Sequence, residues 1–337
     1  MAGLGFILPG FLLMLLFSWL YERWGISNDV FRSVFLGLQP AVCALVFRAA
    51  HKIGGHAFHD PDTRAFDWRL ALVGLLAAFE SVLALNFFII KVHTALVYYL
   101  LLRRAPGWAS GLATLAPLAA VIGVIAARGP LDSQLPMGVG VAASLGNSYA
   151  SHLIIGLLGG LVTFGGAYTA IPFMRYEAVT AGRFISSAIF LDSLAVCSIL
   201  PTPMVMFSTM VGYSSALRMH GSEAEGVVGA VLMTLGMFAP AFALPILCHA
   251  PLERLAASRG TLARVLDSVS ATVVGLIAVT ALQLLRTAVT KPLDALIFYG
   301  SMQLLYGLQH KYTPVLVIAA AAMAGQLLFY PYPPEGR

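Results

Sequence analysis

The chain has 337 residues, 59% of them hydrophobic and 10% charged, with a net charge of +5 and a mean hydropathy of +0.86. Soluble domains carry about 25% charged residues, so a water-facing globule is excluded and an all-α, polytopic membrane protein is expected. Basic residues scattered singly, without interleaved aromatics, exclude a nucleic-acid surface. Cys43, Cys197 and Cys248 lie in apolar runs with no CxxC, which excludes a disulfide framework.

Runs near the length that crosses a bilayer predict roughly eleven spans. The first covers 3–21 and ends at Glu22-Arg23. It lacks a basic n-region and a small-x-small cleavage site, so it reads as a span rather than a signal peptide. Further spans are predicted over 32–50, 68–90, a short 92–104, and 109–127. A Gly/Pro/Ser-containing connector, 128–149, divides a first half (1–149) from a second (150–337). The second half opens with a span at 150–173 and an interfacial segment at 174–187. A Pro-broken span follows at 188–213, then spans at 227–250, 264–286, 293–309 and 312–330.

The halves share a repeat. Leu4, Gly5, Pro9, Phe11, Leu13, Leu16, Glu22 and Arg23 match Leu235, Gly236, Pro240, Phe242, Leu244, Leu247, Glu253 and Arg254 at constant offset. Ser27, Val34, Val42 and Leu45 keep that register with Ser258, Val265, Val273 and Leu276. Paired halves are a transporter signature. An odd number of crossings between the copies makes them pseudo-symmetric and inverted. The loops starting at Lys52, Arg103, Arg175, Arg254 and Lys311 hold the excess of Lys and Arg. They are expected on the cytoplasmic side of a multi-pass protein of the cell inner membrane. The first copy starts at Met1, almost at the equivalent of Gly236, so it is expected to lack its counterpart of residues 164–213.

That stretch, 164–213, carries Gly165-Gly166, Pro172, Arg175, Glu177, Asp192, Pro201 and Pro203 inside apolar sequence. Helix breakers at membrane depth survive where the freed backbone is buried in protein or lines a cavity. A Pro kink that only eases packing is the plain alternative. Asp192 and Glu80 are the carboxylates well inside apolar runs, a costly and usually functional placement. Glu80 fits better as a hydrogen-bond partner of a neighbouring helix. Arg48 fits end-of-helix snorkelling, and His93, His152 and His249 have no identifiable partner. The histidines at 51, 56 and 59 match no metal-site spacing. No cofactor motif or catalytic dyad is present, so enzyme activity is not expected.

The motifs FGGAYTAIPFMRYEAV (164–179), FLDSLAVCSILPTPMVMFSTMVGY (190–213) and LGMFAPAFALPIL (235–247) occur in order. With LGFILPGFLLMLLFSWLY (4–21) and FLGLQPAVCALVFRAAHKIG (35–54), they resemble the chromate ion transporter (CHR) family. The resemblance implies two homologous domains and export of chromate, with chromate resistance as the outcome. Sulfate, of the same shape and charge, stays open as the cargo, as does a partial polypeptide needing a partner chain. The expected partners are the lipid bilayer, the oxyanion, protons and a second copy of the chain, with no metal and no cofactor.

A tetrahedral dianion needs donors and positive potential. Gly165 and Gly166 allow close backbone approach, and Pro201 and Pro203 start a half-helix at Met204. Tyr168, Thr169, Ser198 and Thr202 offer hydroxyls. Arg175 is expected as anion ligand or gate, with Glu177 its partner when the site is empty. Asp192 is expected to couple proton and anion occupancy, because an ionised carboxylate repels a dianion. A dianion leaving an inside-negative cell gains about 4.6 kcal/mol at about 100 mV, so export does not require proton coupling.

Overall fold

The computed structural model describes residues 2–25, 29–59, 65–82, 87–103, 111, 119, 140–163, 167–200, 202–247, 261–308, 310 and 312–330. Among these, the regular elements are all helical. The first half holds α1 (Ala2–Leu20) with a terminal π-turn (Tyr21–Gly25), α2 (Asp29–Ala57), α3 (Trp68–Val82) and α4 (Phe87–Leu102). Then come α5 (Val141–Leu145), α6 (Tyr149–Val162), and α7 (Ala170–Arg175) running into a π-turn (Tyr176–Ala181). Helices α8 (Ser187–Ile199), α9 (Phe207–His220) and α10 (Glu223–Leu247) follow, and α11 (Thr261–Ala288), α12 (Pro292–Gly307) and α13 (Thr313–Phe329) close the chain. By length and apolarity α2, Glu223–Leu244 of α10 and Asp267–Ala288 of α11 are able to cross a membrane, with several shorter apolar helices beside them. The expected span at 109–127 lies almost wholly outside the described residues, as does most of the connector at 128–149.

Small residues set the helix pairs. A Cβ on Gly37 would run into Gly325 of α13, one on Gly275 into Gly74 of α3, and one on Gly229 into Gly212 of α9. At Gly156 it would meet Met233 O at 2.5 Å. Apolar side chains gain nothing by leaving lipid for one another, so such backbone-to-backbone approach is what holds these helices together.

These contacts also give directions. Tyr21, at the end of α1, lies beside the start of α2, and α2 then runs to Lys52 at the opposite end of the molecule. At that far end Gly54 packs on Val274 and Phe58, and Phe58 in turn meets Gly74. Helices α1, α3, α11 and α13 run toward the Tyr21 end. Helices α2, α4, α10 and α12 run toward the Lys52 end.

Two segments follow neither course. Helix α6 enters from the Tyr21 end and stops at Val162. Thr169 Oγ1 donates to Val162 O at 3.0 Å, Met174 packs beside Gly159, and the Phe184 ring lies 6.1 Å from His152. The chain therefore folds back along α6. Helix α8 enters from the same end and also turns back. The Phe190 and Phe207 rings are 5.6 Å apart, and Arg218, in the last turn of α9, reaches the end of α1. The two mouths adjoin, with His152 Nε2 2.6 Å from Ser215 Oγ and Asn147 Nδ2 donating to Ser215 O.

The turn of the second hairpin lies level with the middle of α1, where Gly10 faces the Thr202 side chain. From Gly10 to Tyr21 the helix rises about 16 Å, half of a hydrocarbon core of about 30 Å. The expected span over 188–213 is thus a re-entrant hairpin, and that over 150–173 is one arm of another. Within 174–187, Met174, Tyr176, Glu177 and Ala178 are buried, whereas Arg183 and Ser186 are exposed. The segment after Arg175 also lies at the end opposite Lys52, so the loops that charge counting placed on one side are separated. The physical reason is the breaks. Leu200 is extended ahead of Pro201 (φ −78°, ψ 146°), as a residue before proline is pushed to be. Helices of 13 and 14 residues then reach only about 20 Å each.

Candidate functional site

Where the hairpin turns converge, a cavity of about 800 Å³ opens toward the Lys52 end. Its floor is Tyr168 from the first hairpin and Cys197, Ser198, Thr202 and Met204 from the second. Its walls bring Arg48, His51 and Lys52 from α2, Tyr306 from α12, His310 from the α12–α13 turn and Pro314 from the start of α13. Arg48, His51 and Lys52 are spaced i, i+3, i+4, which puts them on one helix face.

The lining is basic. It contains Arg48 and Lys52 with two imidazoles, and no Asp or Glu is among its described residues. Among the described residues no carboxylate forms an ion pair with Arg48 or Lys52. Cations in a partly apolar recess, with no carboxylate paired to them among the described residues, form a field that attracts anions. The floor adds backbone polarity. A 3₁₀ turn, Met204–Met206, leads into α9, with Met206 N donating to Pro203 O at 2.9 Å and Phe207 N to Met204 O. The turn is braced from within: Thr202 N donates to Leu200 O at 2.8 Å, Cys197 Sγ to Met204 O at 3.3 Å, and Ser198 Oγ to Leu194 O at 2.7 Å.

The residues picked out from sequence divide into groups. Tyr168, Ser198 and Thr202 line the cavity, and Pro203 lies in its floor turn. Gly165, Gly166 and Pro201 lie outside the described residues. Thr169 is buried, and its hydroxyl bonds Val162 O rather than lining the cavity. Arg175 is not among the lining residues either. Its Nη1 donates to Gln283 Oε1 of α11 at 2.9 Å, and its buried Nε has no hydrogen-bond partner among the described residues.

Glu177 is not the partner of Arg175. Its two oxygens accept from Gly140 N at 2.9 Å and Ala142 N at 3.0 Å, so it caps α5. Asp192 is buried, accepting from Tyr21 OH at 2.6 Å and Gln39 Nε2 at 2.9 Å. It ties the second hairpin to α1 and α2. Glu80, buried in α3, lies 2.5 Å from His93 Nδ1 of α4, which supplies a partner for each. His152 also has partners, Ser148 O and Ser215 Oγ, and His249 lies outside the described residues. His51 contacts Tyr306 OH at 3.0 Å. Sequence reasoning missed Lys52, His310 and Tyr306 as wall residues. The spacing of Arg48, His51 and Lys52 was the readable signal for one wall, whereas the α12–α13 contribution is purely tertiary.

Broken helical hairpins meeting under a basic cavity make a site suited to an anion inside a helical membrane protein. The chain belongs to the chromate transporter family, whose sequence model, described as "Chromate transporter", matches residues 1–124 and 151–326. It is 40% identical over 333 residues to a chromate transport protein of Pseudomonas aeruginosa, covering 98% of this chain and 74% of that one. A chromate transport protein of Cupriavidus metallidurans is 25% identical over 335 residues, covering 98% of this chain and 75% of that one. A probable chromate transport protein of Synechococcus elongatus is 23% identical over 330 residues, covering 98% and 77%. No solved structure matches the chain.

Proposed function

We propose that this protein carries chromate, a tetrahedral oxyanion dianion, out of the cytoplasm across the inner membrane and thereby confers chromate resistance. The observation that carries the reading is the cavity whose described lining holds Arg48, Lys52, His51 and His310 and no carboxylate, seated on two broken helical hairpins. In it the anion rests on the side chains of Tyr168, Ser198 and Thr202, and Gly165, Gly166, Pro201 and Pro203 belong to the turns that shape the floor. Arg48 and Lys52 supply the opposing charge. Arg175, whose buried Nε has no hydrogen-bond partner among the described residues, acts as a gate cation behind the first hairpin, and Asp192 as the carboxylate that couples the hairpin to α1.

The chain is organised as two halves, 1–149 and 150–337, of opposite orientation and multi-pass. Support comes from the helix directions. Within the repeat, α1 and α10 run opposite ways, as do α2 and α11. Sulfate shares the shape and charge of chromate, and the lining offers no group that separates them.

The test is uptake of labelled chromate into everted membrane vesicles holding the protein, with and without an imposed potential. The expected result is uptake above empty vesicles, raised when the potential drives anions inward and reduced by replacing Ser198 and Thr202 together with Ala. Absent uptake with folded, abundant protein overturns the reading. Uptake of sulfate that chromate barely inhibits makes sulfate the cargo.

A further inference from the structure

The cavity is open at one end, and the other end is closed by identifiable residues. At the Tyr21 end, the π-turn that finishes α1 grips both arms of the second hairpin. Tyr21 OH donates to Asp192 on the inward arm at 2.6 Å. Arg218, on the returning arm, donates through both terminal nitrogens to the two oxygens of Glu22, at 2.7 and 3.1 Å. Such two-point pairing of a guanidinium with a carboxylate fixes orientation as well as distance. The Glu22 side chain is 9% exposed and that of Arg218 32%, so the pair is partly shielded from water.

The neighbouring contact is of another kind. Arg23 and Glu223 stand 3.6 Å apart with side chains 54% and 58% exposed, where an ion pair contributes little. A π-turn costs helix geometry and is found most often at functional positions. Here it turns Tyr21 and Glu22 together toward the hairpin.

We propose that the Tyr21–Glu22 turn is the latch that closes the transport site to the Tyr21 face, and that parting Glu22 from Arg218 and Tyr21 from Asp192 opens that face. The structure is the state open to the Lys52 face. The opposite state is the one in which the second hairpin has left α1. This rests on the cavity being the transport site, but not on what it carries.

The test follows a reporter thiol at the cavity floor. Cys43, Cys197 and Cys248 are replaced by Ser, and Ser198→Cys is introduced. A membrane-impermeant thiol reagent is then applied to vesicles of each orientation, without substrate. With the latch intact, the reporter labels from the Lys52 face. Glu22→Gln and Arg218→Gln are each expected to raise the labelling rate from the Tyr21 face about tenfold, the shift that about 1.4 kcal/mol produces, and to lower it from the Lys52 face. Arg23→Gln, which breaks only the exposed pair, is expected to change either rate less than about twofold. Arg218→Lys, which keeps the charge and the fold but loses the fork, is expected to lie between.

Unchanged rates in both Gln variants overturn the latch. Rates that rise on both faces together also overturn it, since that is loosening rather than a shift between two states. The readout uses no chromate, so a chain that failed to carry chromate would still report the latch.

Discussion

Replacing Arg48 with Gln removes the more enclosed of the two fixed charges in the cavity wall while keeping a long polar side chain. The guanidinium is half-buried in α2 with no carboxylate paired to it among the described residues, so its loss leaves no buried anion behind. What is lost is a charge-assisted contact to the bound oxyanion, about 1.5–3 kcal/mol. At about 1.4 kcal/mol per decade, that weakens binding roughly tenfold to a hundredfold. Arg48→Lys keeps the charge but presents a point donor in place of a planar fork, and is expected to lose less. The assay is the concentration dependence of labelled chromate uptake in vesicles, with the amount of inserted protein measured alongside. The half-saturating concentration is expected to rise in the order wild type, Arg48→Lys, Arg48→Gln. An unchanged half-saturation in Arg48→Gln, with normal insertion, would refute the assignment of this cavity as the anion site.

Asp192→Asn leaves one of its two donors, Tyr21 OH or Gln39 Nε2, facing an amide N–H₂. A loss of about 1–3 kcal/mol in hairpin anchoring is expected, seen as lowered chromate uptake with unchanged membrane insertion. Glu177→Ala strips the backbone N–H groups of Gly140 and Ala142 of their acceptor. It should lower the unfolding midpoint in detergent and speed proteolysis near residue 140, by an amount matching a lost helix cap of about 1–2 kcal/mol. Gly275→Leu forces a side chain against the α3 backbone at Gly74 and is expected to cost more than 2 kcal/mol, about the upper part of the overpacking range. Thermal unfolding of the purified protein reports it. Pro203→Ala restores a backbone donor at the hairpin turn and is expected to reduce transport with insertion intact, checked by the same vesicle assay.

The class of the protein was legible because it depends on composition: a chain this apolar has nowhere to bury itself but lipid. The helix breakers at Pro201 and Pro203 fall just after the end of α8, and Tyr168, Ser198 and Thr202 line one cavity. The hairpins were not legible. Hydropathy measures how long an apolar run is, and the apolar run from 188 to 213 is long enough to cross; tertiary contacts, Phe190 with Phe207 and Arg218 with Glu22, show that it turns back. Charge partners were misjudged for a related reason. Arg175 and Glu177 are neighbours in sequence, yet their side chains leave the helix toward α11 and α5. Proximity along the chain is a poor guide to pairing when every other charge is scarce and backbone N–H groups compete for the same carboxylate. The Tyr21 and Gln39 contacts to Asp192 span 171 and 153 residues, a separation that no local pattern encodes.

The hairpins that stop at mid-depth also shape how the protein meets the membrane voltage. The cavity on the Lys52 side admits water and ions, so the electrical potential there stays close to that of the bathing solution. The drop is compressed into the packed protein between the hairpin turns and the Tyr21 face, roughly half of the bilayer thickness. On the proposed reading, a dianion resting on the turns would have moved little through the field. Almost all of the work that voltage does on it would then be done between the turns and the Tyr21 face, past Asp192 and Glu22.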